Sequence, residues 1–155
     1  MKLVLRWLLP RFREFTEAVF QALNGVNSVE PGFVKGVGDS TFYEAVLVNY
    51  SPKTISLARL IEVHLAAHKS RSNSSWRDKF RYAIYTFCQE QAEKAQLFLN
   101  RCKAEDPKIV NQVLAFKTFQ ASRKLIQNYY RRNPQKPFCV KYIDPKLKVL
   151  QPIFI

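Results

Sequence analysis

Apolar residues recur along this chain with two alternating periods, and the order in which those periods follow one another limits the folds open to it. Residues 2–9 read as a short buried strand ending at Pro10. From Phe12 onward Phe15, Val19, Phe20 and Leu23 recur at helical spacing, and Asn24-Gly25 supplies a C-terminal stop. Residues 26–34 are strand-like despite Pro31-Gly32, and residues 35–41 read as loop. The run Glu44-Ala-Val-Leu-Val-Asn-Tyr50 is a β segment closed by the turn Ser51-Pro52-Lys53. Residues 55–68 then place Leu57, Leu60, Ile61, His64 and Leu65 on one face of a helix, followed by a serine-rich loop over residues 70–75.

Further on, residues 81–87 alternate as a strand and residues 89–102 form a helix, with Ala92, Ala95, Gln96 and Leu99 at its inner spacing. Pro107 ends that segment, residues 109–118 are again strand-like and residues 121–132 helical. Asn133-Pro134 and Pro137 break this helix before a last β-like stretch over residues 138–143. The order β-α-β-β-α-β followed by α-β-α-β predicts an α+β sheet with helices packed against it. Neither an internal repeat nor a linker is visible, so residues 1–155 are expected to form a single domain.

A composition that is 47% hydrophobic and 14% aromatic supports a real core and excludes an intrinsically disordered chain. The N-terminal apolar stretch is broken by Arg6 and stopped by Pro10, far short of the roughly 20 residues needed to span a bilayer. It also lacks a long apolar run with a small-residue cleavage site, so neither membrane nor export is expected, and the cytoplasm is the default location. The net charge is +13, and it is uneven: residues 1–68 carry 7 basic and 6 acidic groups, residues 69–155 carry 18 and 6. The C-terminal half therefore owns a basic face that suits anionic partners.

That face comprises Arg123, Lys124, Arg131, Arg132, Lys136 and Lys141, interleaved with Tyr129, Tyr130, Phe138 and Tyr142. Cations beside aromatics suit single-stranded nucleic acid or an acidic protein surface, but core aromatics under a solvated charged face give the same pattern and are the preferred explanation. His64 and His68 stand four apart on a helix without a third ligand or an intervening glutamate, so core or capping histidines are expected rather than a metal site. Cys88, Cys102 and Cys139 form no C-x-x-C pair, which points to a reducing compartment. Cys88 and Cys102 read as a strand-end and a helix-surface residue, and a thiol pKa lowered by Arg101 and Lys103 in a partly exposed Cys102 is the minor alternative. No cysteine occurs before Cys88.

Several stretches, taken in order, resemble the A-type peptide methionine sulfoxide reductases. Thr16-Glu-Ala-Val-Phe-Gln-Ala-Leu-Asn-Gly-Val26 and Ser28-Val-Glu-Pro-Gly-Phe-Val-Lys-Gly36 carry the likeness first. Glu44-Ala-Val-Leu-Val-Asn-Tyr-Ser-Pro52 and the helix over residues 55–68 continue it. Phe80-Arg-Tyr-Ala-Ile-Tyr85, the Glu90-Gln91 helix, Gln127-Asn-Tyr-Tyr-Arg-Arg-Asn-Pro134, Phe138-Cys139 and Asp144-Pro-Lys-Leu147 complete it. The resemblance implies a ferredoxin-like βαββαβ core with an additional C-terminal helix and strand.

It also implies a chemistry. In that family a cysteine thiolate at the start of the first helix attacks the sulfoxide sulfur, a protonated glutamate and tyrosine hydroxyls hold the oxygen, and a Phe-Trp pair holds the methyl group. Resolving thiols then pass the oxidation to thioredoxin. Carried over position by position, the family's Gly-Cys-Phe-Trp falls on Arg11-Phe12-Arg13-Glu14, so Phe12 occupies the nucleophile position and Arg13 and Glu14 the aromatic ones. Glu44 keeps the place of the acid, while Phe33 and Phe80 stand where tyrosines belong. The family's Tyr-His-Gln reads Leu125-Ile126-Gln127, and Ser75 falls where an aspartate is expected.

The degenerate pocket is thus Phe12, Arg13, Glu14, Phe33, Glu44, Phe80 and Gln127, with no catalytic residue, metal or cofactor. Without a thiolate there is no sulfenic acid, so the expectation is an inactive homologue that binds a peptide or an acidic protein surface. Two other readings stand beside it. One is an active reductase or other redox protein with a relocated cysteine and thioredoxin as partner, the other a basic nucleic-acid-binding module.

Overall fold

A computed structural model describes residues 1–6, 13–68, 82–107, 109, 111–122, 129–132 and 135–137. Its elements run β1 (Lys2–Arg6), α1 (Arg13–Gln21), β2 (Val26–Gly36), β3 (Tyr43–Tyr50), α2 (Leu57–His68), β4 (Ala83–Thr86), α3 (Gln89–Glu105), β5 (Gln112–Ala121) and the short α4 (Tyr129–Arg132). The chain is therefore α+β, with the β-α-β-β-α-β order expected for its first six elements. Among the described residues no helix is long and apolar enough to cross a membrane.

The five strands form one closed barrel in the order β1-β3-β2-β5-β4. All neighbours are antiparallel except β4 and β5, which run parallel on either side of the α3 crossover. Ladder irregularities at Val26/Ser28 and Lys35/Gly36 let β2 bend around the barrel.

Several boundaries move for the same reason. Lys35, expected in a loop, pairs with Thr118, and β2 runs on to Gly36. Ala121, expected to open a helix, pairs with Gly32, and β5 begins at Gln112 rather than near Ile109. Local pattern could not show this, since each pairing joins segments more than 80 residues apart. The serine-rich loop over residues 70–75, most of the helix over residues 121–132 and the last β-like stretch over residues 138–143 lie outside the described residues.

Direct cross-strand partners share a face, so the register sorts side chains into an inner and an outer set. Val4, Arg6, Val34, Tyr43, Ala45 and Tyr85 form one set. A Cβ built on Gly36 of β2 would lie 2.6 Å from the Tyr85 ring of β4, a strand that β2 does not neighbour, so this set fills the barrel interior. Leu3, Leu5, Val46, Val48 and Ile84 point the other way and join Val19, Phe20, Leu60, Ile61 and Leu99 of the helices in one continuous core. α1 stops at Gln21, earlier than the expected Asn24-Gly25 stop, and Gly25, at φ +96°, lies in the turn that leads into β2.

Gln91 pins α3 to the barrel. Its amide nitrogen donates to the Lys2 carbonyl at 2.9 Å and the Tyr50 hydroxyl at 3.3 Å, while its oxygen accepts from the Phe87 backbone N–H at 2.8 Å. His64 is fully buried in the helical layer, and burial pushes its pKa down from 6.5 to about 3. It is a core histidine, one of the two roles its place in the sequence predicts.

Replacing Gln91→Met should therefore leave a buried carbonyl and N–H unmatched and cost about 1–3 kcal/mol in urea denaturation. His64 gives a second prediction. The unfolded chain binds a proton below pH 6.5 that the folded chain refuses until about pH 3, so this contribution is complete above pH 6.5 and is lost as pH falls. Between pH 7 and pH 5 the native protein should lose on the order of 2 kcal/mol that a His64→Leu variant does not lose, measured as the difference in pH slope of the unfolding free energy.

Candidate functional site

β1 ends at Arg6 opposite Ala45, α1 opens at Arg13, and β3 begins at Tyr43 between β1 and β2. One end of the barrel therefore gathers the end of β1 and the start of β3. Glu44 pairs directly with Phe33 of β2 and shares its face, the outer one that carries Val46 and faces the helical layer. Glu44 is half-buried, with its Oε2 enclosed, and Phe33 is exposed. Thr16 and Glu17 of α1 are buried polar residues close behind the helix start.

The structure thus brings Glu44 and Phe33 together as direct cross-strand partners. The side chains of Arg13 and Glu14, and all of Phe12, Phe80 and Gln127, lie outside the described residues.

Inside the barrel, at the same end, stands a polar cluster that the sequence did not announce. Arg6 is buried, its guanidinium carbon 4.1 Å from the Tyr43 ring centroid, and its Nη1 donates to the Tyr85 hydroxyl at 2.8 Å. That hydroxyl donates onward to Asp39 Oδ2 at 3.0 Å. Burial pushes the Tyr85 phenol pKa up; Arg6 pulls against this and Asp39 adds to it. The one available signal was an arginine inside an apolar strand, which the sequence showed only as a break in hydrophobicity.

Of the basic face, Arg131 and Arg132 on α4 and Lys136 are exposed. Arg131 Nη2 reaches the Gln21 carbonyl at 3.5 Å, so α4 rests on the end of α1, beside a cleft of about 280 Å³ that Glu30 also lines. Arg123, Lys124 and Lys141, and the tyrosine side chains interleaved with them, lie outside the described residues.

Cys88 is exposed at the N-cap of α3, three residues before Gln91 and therefore near Lys2 and Tyr50. Glu44 stands six residues away along β3, roughly 20 Å in a strand. Cys102 is half-buried on α3, and its thiol pKa is raised first by burial and then by Glu105 and Glu62. This goes against the minor alternative that Arg101 and Lys103 lower it, since acidic residues of its own last turn and of α2 act on it. Cys139 lies outside the described residues. Among the described residues, no three His, Cys, Asp or Glu side chains cluster as a metal site.

Comparison with known proteins accords with this geometry. The family model described as peptide methionine sulfoxide reductase matches residues 15–153. A peptide methionine sulfoxide reductase MsrA of Acinetobacter baumannii (strain AYE) is 29% identical over 153 residues, covering 89% of this chain and 88% of that protein. The MsrA of Deinococcus radiodurans is 30% identical over 154 residues, covering 88% and 75%. Among solved structures, reduced Mxr1 from Saccharomyces cerevisiae superposes with a TM-score of 0.71 at 19% identity, covering 90% of this chain and 88% of that one. Methionine sulfoxide reductase A of Corynebacterium diphtheriae gives 0.68 at 18% identity, covering 87% and 76%; both likenesses concern the fold. A match that takes in nearly the whole chain, in sequence as well as in fold, places this protein in the peptide methionine sulfoxide reductase family.

Proposed function

We propose that this chain is a member of the family without its thiol chemistry, an inactive homologue of peptide-methionine (S)-S-oxide reductase that binds a peptide or an acidic protein surface. The observation that carries the reading is the residue at the nucleophile position. By resemblance that position is Phe12, and a phenyl ring can neither attack a sulfoxide sulfur nor carry a sulfenic acid. Phe33 and Phe80 remove hydroxyl donors, and Arg13 and Glu14 replace the methyl-binding aromatics, so the losses concern one pocket and agree with one another. Glu44 remains beside Phe33 as a polar anchor at an otherwise apolar edge. The strand order β4-β1-β3-β2 supports a ferredoxin-like description of the core, with β5 and the C-terminal residues added, in one domain over residues 1–155. A cytoplasmic location is part of the same reading.

The enzymatic alternative needs a thiol near Glu44. Cys88 belongs to the Lys2 and Tyr50 end of the barrel, and the raised pKa of Cys102 keeps its thiol protonated, which weakens it as a nucleophile. If activity were present, a thioredoxin would be the reductant, a partner suggested by the solved complex of yeast Mxr1 with Trx2. The exposed cations Arg131, Arg132 and Lys136 support an acidic partner, while Glu30 beside Arg131 weighs against a nucleic-acid groove.

A thioredoxin- or dithiothreitol-coupled assay on a methionine-S-sulfoxide peptide, run on the wild type and on Phe12→Cys, tests the reading. The wild type should show no turnover above the uncatalysed rate. The variant should recover little, because Arg13, Glu14 and Phe80 still alter the pocket. Wild-type turnover comparable with that of an ordinary family member would overturn the proposal.

A further inference from the structure

The hairpin between β2 and β3, residues 36–43, crosses the end of the barrel that holds Glu44. Apolar packing does little to fasten it. Val37 is 67% exposed and Phe42 is 41% exposed, covered on one side by Lys35, whose Nζ lies 5.7 Å from its ring centroid. A Cβ placed on Gly38 would meet nothing within 4 Å.

The fastening is polar and comes from inside the barrel. Asp39 Oδ2 accepts two hydrogen bonds, from the Gly36 N–H at 2.8 Å and from the Tyr85 hydroxyl at 3.0 Å. The Tyr85 hydroxyl in turn accepts from Arg6 Nη1 at 2.8 Å. Gly36 lets the hairpin backbone come down on the Tyr85 ring, where a side chain would collide with Cε1. One further bond, from the Val37 N–H to the Ala115 carbonyl at 2.9 Å, ties the same segment to β5. The Arg6 guanidinium also lies against Tyr43, so a single buried cation touches the returning root of the hairpin and, through Tyr85, its tip.

We propose that Arg6, Tyr85 and Asp39 form a latch. The interior arginine orients the Tyr85 hydroxyl, the hydroxyl holds the Asp39 carboxylate, and the carboxylate holds the hairpin shut across the barrel end. Release of Asp39 opens residues 36–43 as a flap, and the flap carries the start of β3, where Tyr43 and Glu44 follow directly. The latch depends on neither turnover nor a ligand, so its test stands apart from that of the proposed function.

Native-state hydrogen exchange on the full chain reads the latch directly. Two variants serve: Asp39→Ala removes the carboxylate, and Tyr85→Phe keeps the buried ring while removing only the hydroxyl. In each, the Val37 amide, whose own acceptor is untouched, should exchange roughly tenfold faster or more, as expected for losing a hydrogen bond to a charged group. Amides in β1 and β3, such as those of Val4 and Val48, should follow only the change in global stability read from urea denaturation. Unchanged exchange at Val37 in Tyr85→Phe, or acceleration at Val37 no greater than at Val4 and Val48, would overturn the latch. If Asp39→Ala fails to fold, the hydroxyl deletion alone decides.

Discussion

Strand β5 meets both flanks of the sheet, antiparallel to β2 and parallel to β4, and that double pairing turns an open sheet into a barrel. Each described strand thus has a neighbour on both sides along part of its length, which leaves less open edge to recruit another chain. Five strands enclose little space, so the choice of side chains pointing inward is narrow. Small or flat groups dominate there: Ala45, Val4, Val34, the Tyr43 and Tyr85 rings, and Gly36 where the backbone passes closest. Arg6 is the exception, and a guanidinium in such a place has to be matched by polar and π partners because water cannot serve it. Tyr43, Tyr85 and Asp39 supply part of that match, so closure of the sheet and the shape of the β2–β3 hairpin depend on one another.

Much of the element order was legible in the chain, because hydrophobic period and turn chemistry are local properties. The apolar run ending in Tyr50 is a strand, Asn24-Gly25 falls in the turn between α1 and β2, and His64 lies on the buried face of α2. What escaped was non-local. Lys35 looks like a loop residue and Ala121 like a helical one, yet each is a strand residue because β2 and β5 find each other across most of the sequence. The inner and outer faces of the sheet were likewise invisible. Alternation says that Glu44 and Ala45 point to opposite sides, but only the register with β1 and β2 says which side is the barrel interior.

The candidate site shows the same division. Glu44 and Phe33 were singled out from separate stretches by resemblance, with no statement about distance. The ladder between β2 and β3 makes them direct neighbours. Arg6, Tyr43, Tyr85 and Asp39 were read as isolated residues or not at all, since nothing in one-dimensional spacing links positions 6, 39, 43 and 85. At Cys102 the cations adjacent in the sequence do not set the direction of the shift, which comes first from burial and then from Glu105 and Glu62.

Glu44 and Ala45 are consecutive on β3, and they separate the two roles of this end of the barrel. The outer face, with Glu44 and Phe33, is where the family resemblance places chemistry; the inner face, opposite Arg6, is where the strand is anchored. A substitution at the outer pocket therefore removes reactive groups without touching the interior that holds β1, β3 and β4 together. Under the reading proposed above, the chain lacks the thiol, two tyrosine hydroxyls and an aromatic pair while the barrel interior stays intact. The interior cation then has a second consequence. Because Arg6 stacks on Tyr43, one residue before Glu44, the position of Glu44 on β3 is fixed in part by barrel packing.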